Sequence, residues 1–224
     1  MTMDLSYENL KSRHRLVRDS YPANLNVRLH RALSWLGRAE VAEKEQDNDA
    51  RFIFLWIAFN SAYARDIDHR QGLSEQATFI EFLNQLCSID NGMLSNLVWK
   101  EFSGSIRVLL DTPYVLQAFW EWKAGRLDEG SWQRQLALDK RKAHMALAQG
   151  RTPDLLAQIF HRLYTLRNQI IHGGATWNSS MNRSQLRDCG NFLGKFIPAM
   201  LGLMLEHPEV DWGGVCYPVV ERRS

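Results

Sequence analysis

The run Phe52-Ile53-Phe54-Leu55-Trp56-Ile57-Ala58-Phe59 constrains the fold of this chain more than any other stretch, because wound as a helix it is apolar on nearly every side. Such a helix is normally surrounded by others, at the centre of a bundle or in an oligomer contact. The polar turn Asp47-Asn48-Asp49 precedes it and sets a helix from Ala50 to about Asp66. Asn60 interrupts the apolar surface. A buried amide needs partners, so Asn60 either bonds local backbone or orients a neighbouring polar site.

Helical period and clear punctuation run through the rest of the chain. After the break at Tyr21-Pro22, Leu25, Leu29, Ala32, Leu33, Leu36 and Ala39 mark an amphipathic helix over about 24–45. Thr152-Pro153-Asp154 reads as a cap followed by proline and opens a helix over 152–172 with the stripe Leu155, Ile159, Leu163, Leu166, Ile170. A last long helix, about 184–206, carries Leu186, Cys189, Leu193, Phe196, Ile197, Met200 and Met204 on one face. Pro198 removes a backbone donor inside it, which predicts a kink near Gly194. Residues 72–150 read as an added helical layer. Ser74 caps a helix through Leu86, one helix carries Met93 to Leu109, Thr112-Pro113 opens an aromatic helix to Ala124, and Ser131 starts a helix with Trp132, Leu136, Ala143 and Leu147 inward. The tail over 207–224 is irregular and is expected to dock as an extended strand. The class is all-α.

A chain of 224 residues with 45% hydrophobic side chains closes a substantial core as one domain. Its net charge of +2 excludes a global polycation that would grip long duplex nucleic acid unspecifically, so any nucleic-acid site is local. Cys87, Cys189 and Cys216 are odd in number and widely spaced, the pattern of reduced thiols in a cytoplasmic protein rather than a disulfide frame or zinc site. The start lacks a basic region followed by an apolar run, and the apolar stretch Phe192 to Leu205 is too short and too interrupted to span a bilayer, so no membrane partner is expected. Asp66, Asp68 and His69 read as a solvated helix end. No metal or other cofactor is expected.

The chemistry concentrates in Arg167-Asn168-Gln169-Ile170-Ile171-His172, followed at once by Gly173-Gly174. A guanidinium offers a permanent charge and a planar fork of donors matched to phosphate oxygens. An imidazole gives or takes a proton near neutral pH, as transesterification at a ribose 2'-hydroxyl requires. The plainer reading is a helix end whose Arg and His complement the macrodipole and whose glycine stops the helix. Five residues turn through about 140° on an ideal helix, so Arg167 and His172 do not share a face. Either Gly173-Gly174 unwinds the last turn, or two copies meet and one chain's Arg approaches the other's His in a symmetric dimer.

Arg167-Asn168-x-x-x-His172 and the preceding helix Phe54-Leu55-Trp56-Ile57-Ala58-Phe59-Asn60-Ser61-Ala62-Tyr63 together resemble the HEPN superfamily, small helical bundles that are commonly RNA-cleaving. The resemblance covers a little over half the chain. It implies an up-down four-helix bundle built from 24–45, 50–66, 152–172 and 184–206, with the 72–150 layer inserted between the second and third core helices. It further implies metal-independent cleavage of single-stranded RNA at a site shared across a homodimer, in phage defence or stress response, with Arg167 and His172 catalytic and Asn168 their polar companion. An antitoxin or other regulatory partner fits the same picture. This chain has Gly174 where toxin-type members often carry a tyrosine, which argues against silencing by modification of that tyrosine. Secondary RNA contacts fall to Trp177 in the following loop, Asn60, and Lys140 and Arg141 on a basic helix face. Other members are non-catalytic modules binding RNA, nucleotide or protein. For that alternative Trp120, Trp122 and Trp132 would supply an exposed patch.

Overall fold

In the computed structural model, which describes residues 4–65, 75–180 and 182–219, the chain is all-α. The helices are α1 (Tyr7–Val17), α2 (Ala23–Lys44), α3 (Asn48–Tyr63), α4 (Glu75–Ser88), α5 (Met93–Asn96), α6 (Ser103–Asp111), α7 (Gln117–Lys123), α8 (Glu129–Ala148), α9 (Thr152–Ile171) and α10 (Arg183–Glu206). Among the described residues no helix is long and apolar enough to cross a membrane. The Asp66, Asp68, His69 cluster and the Ser74 cap lie outside the described residues. Contacts divide the chain into two compact units, one of residues 1–89 and 193–224, the other of residues 90–192.

In the first unit, α3 has the company that its composition demands. Its N-terminus is capped by Asp47, which accepts from the Ala50 N–H at 2.9 Å. Phe59, fully buried, is the hub of an aromatic cluster, with ring centroids 5.6 Å from Trp56, 4.6 Å from Tyr63, 6.1 Å from Phe82 on α4 and 6.3 Å from Phe196 on α10. Pro198 lies inside α10, which continues as helix to Glu206. Gly194 has a packing reason to be small, since a Cβ there would sit 2.6 Å from Nη2 of Arg51. The tail forms no strand among its described residues. It is held from α2 instead, where Arg28 donates to the carbonyls of Ala62, Ala64 and Gly214, and Arg31 to those of Cys216 and Tyr217. Arg28 is 1% exposed and burial lowers its pKa to about 10.

In the second unit, the single helix expected over Met93 to Leu109 is divided. α5 passes into a π turn at Leu97–Glu101, closed by the Phe102 N–H on the Leu97 carbonyl, before α6 begins. The turn carries Trp99, whose indole donates to the Thr152 hydroxyl at 2.9 Å, so Thr152 serves a tertiary bond and not as the cap of α9. Pro113 opens only a short 3₁₀ turn, and α7 starts after Leu116. α8 begins earlier than Ser131 because Asp128 is its cap, accepting the Ser131 N–H at 2.8 Å. Trp120, Trp122 and Trp132 are half-buried around Phe119, with centroids 5.4, 5.6 and 5.3 Å from its ring. They serve as packing within this unit, not as an open patch.

Candidate functional site

α9 lies in the second unit and is buried through Leu155, Leu156, Ile159, Phe160, Leu163 and Leu166. Beyond Leu166 it emerges. Arg167, Asn168, Gln169 and Ile170 are half-buried, and Ile171 and His172 are exposed. The motif therefore occupies the place where a core helix reaches solvent.

The stop itself follows from the two glycines. Gly173 adopts φ +72°, and its N–H bonds the Ile170 carbonyl at 3.2 Å while the Gly174 N–H bonds the Gln169 carbonyl at 2.6 Å. This paired arrangement is the Schellman motif, which satisfies carbonyls that the helix end would leave orphaned. A Cβ on residue 174 would lie 2.9 Å from the Gln169 carbonyl oxygen, so the absence of a side chain matters at both positions. The helix stays wound to Ile171, and His172 holds φ −89° and ψ 14° as its cap. The last turn is not unwound, and within one chain Arg167 and His172 remain on different faces.

Arg167 is held by its own helix. Its Nη1 donates to Asn168 Oδ1 at 2.8 Å, and its guanidinium carbon lies 5.7 Å from the Tyr164 ring centroid. Nε is buried without a hydrogen bond, and no carboxylate pairs with Arg167, both among the described residues. Arg162, five residues earlier, has the opposite setting: 2% exposed, with Asp139 of α8 at 3.2 Å. One helix thus carries a neutralised arginine in the core and an unneutralised one at its exit.

Gln169 fixes the surroundings. Its Nε2 donates to the Tyr114 carbonyl at 2.6 Å, and its Oε1 accepts from Asn182 Nδ2 at 2.9 Å. Asn182 immediately precedes α10 and accepts the Leu186 N–H at 2.8 Å. The N-terminal end of α10 is tied to the motif turn through this amide pair, and a helix N-terminus favours anions. Residue type alone does not mark the roles of Gln169, Tyr164 and Arg162. The available signal for Gln169 was an amide beside an apolar stripe; its bond to the distant Tyr114 carbonyl had none.

The expected secondary contacts are dispersed. Trp177 stands in the loop after the motif and is 73% exposed. Lys140 is half-buried and pairs with Asp111 at 2.9 Å, whereas Arg141 is exposed. Neither bonds the motif among the described residues. Asn60 belongs to the first unit, where its Oδ1 is buried with no hydrogen bond among the described residues. Cys189 is fully buried and burial pushes its thiol well up, so it offers no nucleophile.

No protein-family model, no curated protein and no solved structure matches this chain. Fold and site define an all-α protein in which an Arg-Asn pair and an exposed histidine close a core helix.

Proposed function

We propose that the chain is a metal-independent endoribonuclease of HEPN type, cleaving single-stranded RNA at a site completed by a homodimer. The observation that carries this reading is the Arg167 guanidinium, half-buried, oriented by Asn168 and paired with no carboxylate among the described residues, less than two turns from the exposed His172. A phosphodiester needs a cation and a titratable ring, and this set offers both at one helix end.

Arg167 grips the scissile phosphate and stabilises the charge that builds on its oxygens in the transition state. His172 takes the proton of the ribose 2'-hydroxyl, whose oxygen attacks phosphorus. The bond to the 5'-oxygen breaks as the partner's His172 delivers a proton to it, leaving a 2',3'-cyclic phosphate and a 5'-hydroxyl. The wound helix, on which Arg167 and His172 face apart, supports this division of labour between two subunits. Asn168 spends its carbonyl oxygen on Arg167, so its amide N–H groups are the ones left for the ribose or phosphate. Trp177 offers a face on which an unpaired base stacks.

The test is cleavage of a single-stranded RNA in EDTA. Wild type cleaves, and Arg167→Ala and His172→Ala each lose activity by roughly a hundredfold or more while melting as wild type does. Mixing the two inactive variants restores no full activity, because the mixed dimer holds one His172 where the step uses two, as base and as acid. Undiminished cleavage by His172→Ala removes the assignment.

A further inference from the structure

The basic N-terminal stretch Lys11, Arg13, His14, Arg15 and Arg18 has no part in the proposed cleavage, yet it contributes to a second constellation inside the first unit. A cleft of about 290 Å³ opens between α1, the 3₁₀ turn Arg18–Ser20, α2 and the tail. Arg18, His30 and Arg31 converge on it with the buried His14, and Val27 and Val219 supply apolar wall. Asp19 is the only carboxylate among the described lining residues. It is 95% exposed, with its oxygen 3.6 Å from Arg18 Nε.

We infer that this cleft is a binding site for a small phosphate monoester bearing an apolar substituent. Two arginines against one solvent-facing carboxylate leave a net positive cleft, and histidine adds donors suited to phosphate oxygens. The frame is fixed beforehand. Asn26 donates to the Arg18 and Tyr21 carbonyls while its oxygen meets His14 Nε2 at 3.2 Å, which locks the turn onto α2. Arg31 donates through Nη1 and Nη2 to the Cys216 and Tyr217 carbonyls at 2.8 and 2.6 Å. Those neutral acceptors orient the guanidinium without cancelling its charge, and three of its five N–H groups remain beyond those two bonds. The volume sits at the small end of ligand pockets, which suits a monoester and excludes a polymer seated in the cleft. Val27 and Val219 give the ligand's substituent its contact.

Phenyl phosphate, titrated by calorimetry into the intact protein, tests the site, with inorganic phosphate and benzyl alcohol as separate probes of the anion and of a neutral aromatic. Saturable binding of phenyl phosphate is expected, weaker by roughly fivefold for inorganic phosphate and absent for benzyl alcohol. Arg18→Ala and His30→Ala, both at exposed side chains, each weaken it by roughly fivefold with unchanged melting. Asp19→Asn tightens it, and Arg167→Ala leaves it unchanged, which separates this cleft from the α9 motif. Absence of saturable binding up to about 10 mM by folded protein overturns the inference, as does binding that survives in the Arg18→Ala/His30→Ala double variant. RNA cleavage by that double variant stays at wild-type level, so failure here and failure of the cleavage reading are told apart.

Discussion

Arg162 of α9 meets Asp139 of α8 at 3.2 Å, with 2% of the arginine side chain and 14% of the carboxylate side chain exposed. Burial lowers the guanidinium's pKa, and the carboxylate opposes that shift. The contact is ionic rather than a well-aligned hydrogen bond, because Nη2 lacks a partner of proper geometry. It joins α9 to α8 five residues before Arg167 leaves the core.

Removal of one partner is therefore expected to cost more than the pair contributes. Asp139→Asn leaves a buried cation uncompensated and lowers stability by about 3 kcal/mol, whereas Arg162→Met with Asp139→Leu is about neutral. Denaturant unfolding of the two variants checks this. A double variant as unstable as Asp139→Asn would mean that the charges themselves hold α8 to α9.

Arg28 gives a second expectation, confined to the first unit. Its guanidinium serves the carbonyls at the end of α3 and those of Gly213 and Gly214 together. Arg28→Met keeps the buried stem but strips those donors, and should lower stability by about 2 kcal/mol. Cleavage by a protease between residues 207 and 219 should quicken in the same variant. A tail that stays resistant would place its anchorage elsewhere, at the buried Trp212 and its bond to the His207 carbonyl.

What the sequence made legible was whatever is written in local period and local punctuation. The bounds of α2, α3, α9 and α10 follow from apolar stripes and from Tyr21-Pro22, Asp47, Thr152-Pro153 and Gly173, all of which act within a turn or two of themselves. α1 is hard to read in the sequence because charge hides its apolar side, although Leu10 is fully buried. The breaks in the middle of the chain were not legible, since the π turn at Leu97–Glu101 involves Trp99 reaching Thr152, 53 residues away. The same holds at the site. Arg167, Asn168 and His172 stand out by residue type, but the contrast between Arg167 and Arg162 depends on where Asp139 arrives, and α8 delivers it.

Two histidines give the folded protein a pH dependence of definite sign. Burial holds His14 and His161 below their ordinary value of 6.5. The unfolded chain takes up these protons as the pH falls through about 6.5, while the folded chain takes them up only at lower pH. Stability is thus full above that value and declines as the pH drops below it towards the folded-state values. His14→Gln with His161→Gln should flatten the decline, measured as melting temperature at pH 7.5 and pH 5.5. An unchanged slope would assign the acid sensitivity to the carboxylates.

The helix stop makes a prediction about order near the motif. Gly173→Ala forces a side chain into φ +72° and should cost about 1 kcal/mol. Gly174→Ala leaves the turn conformation allowed but presses a methyl to 2.9 Å from the Gln169 carbonyl. Amide exchange at residues 171–174 should rise in both variants. Unchanged protection would show that the Gln169 contacts alone hold the turn.

Asn168→Asp separates the charge of Arg167 from its position. The amide oxygen already sits 2.8 Å from Nη1, so a carboxylate placed there forms an ion pair in the same geometry. The arginine stays where it is, and its charge is answered from within the chain. If Arg167 serves only to end a helix, the substitution is harmless or slightly stabilising and nothing else changes. If it receives a phosphate, the new carboxylate competes with that phosphate, and affinity for single-stranded RNA falls by about tenfold with no loss of melting temperature. Asn168→Leu, which removes the hydrogen bond and adds no charge, should weaken binding less. Filter binding to the His172→Ala background, in which RNA stays intact, reads the affinity, and equal affinities for the Asp and Leu variants would sink the electrostatic role given to Arg167.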